Sequence, residues 1–173
     1  MNNNSTDDDI NPLGFPAKRH TNPNGSVGGW VADTASVAPT AYVGPHAQVL
    51  GGARVLDSVA VSGHAKVYGD ARVSGYVRVS RNAEVSGYAE VYGNAEVSGY
   101  ARVSGVASVF GNAWVFENAW VYGATRVYGN ARVSGAARVY GTVTVSGNAE
   151  VSGTARVAGD TEVSGNAEIF GAA

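Results

Sequence analysis

The chain has no cysteine among its 173 residues, a single methionine, and only 15% charged residues with a formal net charge of −2. Without cysteine there is no disulfide framework, no thiolate metal site and no cysteine nucleophile, which fits a reducing compartment. Sparse and nearly balanced charge lacks the basic footprint of a nucleic-acid binder, so no nucleic-acid partner is expected. Long apolar runs are missing as well: a Gly or polar residue interrupts every repeat, and no transmembrane segment is expected. The start, from Met1 to Asp9, has neither the positive nor the apolar region of a signal peptide, which points to a cytoplasmic or virion-associated protein.

What the chain does have is a period. Stepping by six from Val31 lands on Val at 23 consecutive stops and on Ile169 at the twenty-fourth, without one insertion. A period sustained that far is the signature of a β-solenoid. With the Val as position 1, the unit settles to Val-(Ser/Tyr)-Gly-(Asn/Asp/Tyr)-Ala-(Arg/Glu), as in Val67-Tyr68-Gly69-Asp70-Ala71-Arg72. Side chains of a strand alternate between faces, so the small position-5 residue and the following Val face one way and the charged residue between them faces the other. Val and Ala therefore line the interior. Position 3 is Gly in eighteen repeats and marks a corner. Pro39 and Pro45 hold φ near −65° there, so a positive φ is not universal at this position. Arg81 and Glu117 also replace the Gly, and the Asn that follows each (Asn82, Asn118) is expected to take the positive φ instead.

Three repeats per coil is the register the corners favour. At a spacing of 18, Asn94, Asn112, Asn130, Asn148 and Asn166 form one continuous ladder, whereas a spacing of 12 would stack only two Asn pairs. The same register sets Lys66 over Glu84 over Arg102, but also Arg54 beside Arg72, so charge scarcely discriminates. His46 and His64 stack. The 24 repeats then make about eight triangular coils.

This pattern resembles the hexapeptide-repeat superfamily, whose fold is an all-β, left-handed parallel β-helix with an aliphatic residue at position 1 and a small one at position 5. The resemblance covers residues 30 to 173, and the Gly-Gly-Trp-Val opening with its regular repeats is similar to a branch of bacterial and phage repeat proteins. Handedness is implied by the resemblance alone. Family acyltransferases place a catalytic His near a protruding loop, and family carbonic anhydrases use three His across a trimer interface. Here no repeat exceeds six residues and no closely spaced His pair is present. No catalytic, cofactor or metal residue is assigned.

Residues 1–29 have no period and read as a polar tail, disordered or docked, ahead of a solenoid domain at 30–173. Trp30 is the expected lid over the first coil, which has nothing stacked on its outer side. At the other end, Ile169, Phe170, Ala172 and Ala173 are the expected contact for another chain, because an uncovered coil is a template for strand pairing. Phe110, Trp114, Phe116, Trp120, Tyr122 and Tyr128 form a candidate lateral interface for a protein or a glycan, or an outer ladder that stiffens the rod. The absence of a Thr column argues against an ice-binding face. The expectation is a structural, self-assembling rod or filament subunit, a homo-oligomer or polymer through its coil ends. A trimeric acyltransferase is the alternative.

Overall fold

The structure, a computed structural model, describes residues 13–171. Among them are 25 strands and no helix. Four strands set the pattern: β1 (Ala17–Thr21), β2 (Val27–Ala32), β3 (Ser36–Val37) and β4 (Tyr42–Val43). From β2 onward each strand pairs in parallel with the one eighteen residues later, Val31 with Val49, Val37 with Val55 and Val43 with Val61. Three sheets result, of nine, eight and eight strands, beginning at β2, β3 and β4, with β1 added outside β2. The chain is a parallel β-solenoid of about eight turns and triangular section, as the eighteen-residue spacing implied.

Most strands are only two residues long because an eighteen-residue coil must make three sides and three corners. Each strand consists of the outward position 6 and the inward position 1, as in Arg72–Val73 with Arg72 exposed and Val73 buried. The core is correspondingly narrow. Its rows of Val and Ala are almost wholly excluded from solvent, and no side chain larger than Val is fully buried there. Where Thr125 replaces the inward Ala, its hydroxyl donates to the Tyr122 carbonyl at 2.8 Å, so the buried polar atom is satisfied by its own corner.

Backbone hydrogen bonds continue around the corners: Asn82 N–H donates to Gly99 O and Asn94 N–H to Gly111 O, both at 2.8 Å. Gly99 has φ +76°, and a Cβ there would sit 2.8 Å from the backbone N and O of Glu117. Such a corner suits glycine on both counts. Contrary to the expectation that Asn82 and Asn118 would absorb the positive φ, Arg81 (φ 63°) and Glu117 (φ 60°) take it themselves, as does Asp57 (φ 56°). The neighbouring coil dictates this. His64 N–H donates to Arg81 O and Tyr100 N–H to Glu117 O, each at 2.6 Å, which holds these corners in the conformation of their glycine neighbours. Two of the three have compensation: the Asp57 carboxylate accepts from Gly75 N–H at 2.9 Å and that of Glu117 from Gly135 N–H at 2.7 Å. Arg81 has no side-chain hydrogen bond or ion pair among the described residues.

Part of the segment read as a tail is docked. Residues 17–21 are β1, and 27–29 already belong to β2. Residues 1–12 lie outside the described residues.

Candidate interaction surfaces

The hairpin of β1 and β2 builds the first end of the rod. Asn22-Pro23-Asn24-Gly25 forms the turn, with Gly25 N–H donating to Asn22 O at 2.8 Å and Gly25 at φ +80°. Pro at the second turn position presets the φ required there. β1 then runs antiparallel to β2, Lys18 opposite Val31 and Arg19 opposite Trp30, with a bulge before Thr21 opposite Val27. The bulge falls at Gly28 and Gly29. A Cβ on either would press into a backbone carbonyl of the first coil, Val43 O or Ala47 O, so the glycines let the hairpin lie against it.

From the turn, Asn22 reaches across to the third sheet. Val43 N–H donates to its Oδ1 at 2.8 Å, and its Nδ2 donates to Val43 O at 3.2 Å. One side-chain amide thus does for Val43 what the peptide groups of a preceding coil would do. His20 Nε2 meets the Ala41 carbonyl at 3.0 Å, and Arg19 Nη1 donates to Gly28 O and Pro45 O at 3.2 and 2.9 Å.

Trp30 is not the lid. Because Val31 must face the core, alternation turns Trp30 to the outer face, in the row that continues with Gln48 and Lys66. It is buried there beneath the Arg19 guanidinium, 4.7 Å from its ring centroid. Two of the three edges at this end are met by β1, Asn22 and His20, which sequence reasoning missed. The Asn-Pro-Asn-Gly turn was the available signal.

At the opposite end the sheets finish in three edge strands, Arg156–Val157, Glu162–Val163 and Glu168–Gly171. Among the described residues no strand pairs on their outer side. Ile169 is half-buried, and Phe170 stands 74% exposed. Ala172 and Ala173 lie outside the described residues.

The aromatic belt divides. Phe110 and Tyr128 lie along the second sheet, where Tyr92, Phe110 and Tyr128 stack at 4.7 and 4.8 Å. Trp114 and Phe116 belong to the third sheet, edge to face at 6.3 Å, with Arg132 over Trp114. Trp120 and Tyr122 belong to the first, 4.6 Å apart, and Tyr122 stacks on Tyr140 at 4.9 Å. The six rings encircle the rod on three faces and do not form one flat surface. Most are engaged with one another, and Trp114 is the most exposed of them.

The Asn ladder is continuous: Nδ2 of Asn94, Asn112, Asn130 and Asn148 each donates to Oδ1 of the next Asn at 3.0–3.2 Å. His46 and His64 stack at 5.1 Å. Only one ion pair spans adjacent coils among the described residues, Arg102 with Glu84 at 3.6 Å, and both are solvent-accessible. A groove beside it, of about 620 Å³, is lined by His46, His64, Lys66, Glu84, Tyr100 and Arg102. It is open to solvent, and no three His, Asp or Glu side chains among the described residues converge to hold a metal ion.

Residues 65–81 and 126–141 match the family model described as YdcK Beta solenoid repeat. No curated protein matches the chain. The match and the eighteen-residue spacing fit a hexapeptide-repeat β-helix. No helix among the described residues is long and apolar enough to cross a membrane.

Proposed function

We propose that the chain is a structural rod, without catalysis of its own, that takes a second copy of itself on the coil edge formed by residues 156–171. The contrast between the two ends of the described residues supports this reading: one is covered by a hairpin, while among those residues no strand pairs on the three edge strands of the other, where Phe170 is exposed. An uncovered edge offers unpaired backbone groups to another chain. The outer rows of rings and amides stiffen the rod between its ends, and the exposed face of Trp114 is the best-placed lateral contact.

Nothing in the geometry favours acyl transfer. The grooves are shallow and open, and His46 and His64 stack on each other instead of facing an enclosed pocket. A catalytic site needs walls that exclude water.

Sedimentation across a range of concentrations tests the proposal. Self-association should grow with concentration, and Phe170→Lys should weaken it. A monomer at every concentration would overturn it.

A further inference from the structure

We infer that the hairpin of β1 and β2 occupies a docking site for a terminal coil of a second copy, and that its presence limits end-to-end assembly to closed pairs. This rests on the reading above that coil edges attract copies of the chain.

The first coil carries the same edge chemistry as every other coil. In the interior, each inward Val is bonded through both its N–H and its C=O to the preceding coil. At the first coil that role falls to β1 for Val31 and to the Asn22 amide for Val43. The carbonyl of Ala41, which elsewhere in its row would accept from the preceding coil, is met by His20. These are substitutes for a coil, supplied by the chain's own residues.

The substitutes also repel. β1 is a short edge strand, Ala17-Lys18-Arg19-His20-Thr21, preceded by Pro16, and basic residues with a nearby Pro are what natural sheets use to refuse a further strand. It runs antiparallel to a parallel sheet, so a second coil cannot continue all three sheets across it.

Nor is the cover sealed. Arg19 Nε is buried without a hydrogen-bond partner, Val27 is exposed, and Ala35, Val37 and Ala38 of the second-sheet side are only partly buried. No contact among the described residues does for β3 what Asn22 does for β4. The hairpin is held on β2 by its backbone ladder, and over the third sheet only by the side-chain bonds of Asn22 and His20.

Symmetry draws the consequence. Contact between two open edges is isologous and closes after one partner, whereas a filament needs a head-to-tail contact between the open edge and the first coil. With the hairpin in place the first is available and the second is not.

The test is the full chain with Lys18→Pro, placed to break the β1–β2 ladder opposite Val31, combined with His20→Ala and Asn22→Ala, read by amide exchange at Val43 and by mass and electron microscopy against concentration. We expect Val43 exchange to accelerate at least tenfold and linear assemblies longer than a pair to form. Faster exchange with the wild-type assembly state would overturn the inference, as would unchanged exchange, since Asn22 would then not be what closes the edge. Should the triple variant lose its β-sheet signal, Lys18→Pro with Asn22→Ala is read by the same criteria. Wild-type monomers together with polymers of the variant would refute the proposed function yet uphold the hairpin as a cap.

Discussion

The two ends of the rod face the same physical problem and differ in how it is met. Among the described residues, each outermost coil has three edges that no further coil covers. At the first end the chain leaves its repeat and adds one-off contacts: an antiparallel strand on β2, an Asn amide on Val43 and an imidazole on the Ala41 carbonyl. At the other, the described residues keep the repeat through Glu168–Gly171 and add nothing. Burial follows the difference. In the third sheet the inward Val43 is fully buried beneath Asn22, whereas the inward Ile169 at the other end is only partly buried. A repeat specifies its own continuation, so stopping it takes residues that break the pattern.

The largest effect should come from core truncation, which compares the ends directly. Val43→Ala should lower stability by about 2–3 kcal/mol, from two lost methyl groups and an unfilled cavity in a core that cannot collapse easily. Ile169→Ala, in the same sheet but only partly buried, should lose about half of that, and equal shifts in the denaturation midpoint would show that the ends are equally covered. Next, Asn22→Ala leaves both polar groups of Val43 unpaired and should cost about 1–3 kcal/mol. Serine at the same position, which restores one bond at most, should recover only part of it.

The ladder sharpens the comparison further. Asn130→Ala removes two amide bonds and Asn166→Ala one, so losses of about 1 and about 0.5 kcal/mol are expected for these exposed groups. The smallest effect has the opposite sign. Arg81→Gly relieves an uncompensated positive φ and should raise stability by about 1 kcal/mol, while Glu117→Gly, which also gives up its bond to Gly135 N–H, should gain less.

Everything that repeats was legible in the sequence. The Val row, the small position-5 residues, the eighteen-residue register, the Asn ladder and the His46–His64 stack all follow from spacing, because in-register coils bring identical positions together. What was not legible depends on contacts made once. β1 and the turn after it have no period, and their bonds to Gly28, Ala41, Val43 and Pro45 join residues up to 26 apart through side chains whose reach a pattern does not encode. The size of Trp30 suggests a lid, but its place beside Val31 turns it outward. Residue preference favours a positive φ at the Asn after Arg81 and Glu117, and coil-to-coil hydrogen bonding overrides that preference. The aromatic belt looked continuous along the chain because successive repeats are neighbours in sequence, yet they belong to different faces.

Backbone amide exchange as a function of protein concentration tests the central claim most directly. Val43, bonded to Asn22, should be protected to the same degree at every concentration. The amides of Glu162, Ser164 and Phe170 should exchange freely in dilute solution and gain protection as concentration rises. Protection that grows at Val43 instead, or edge amides at 162–170 that remain unprotected at high concentration, would contradict an account in which the hairpin closes one end and a second copy covers the other.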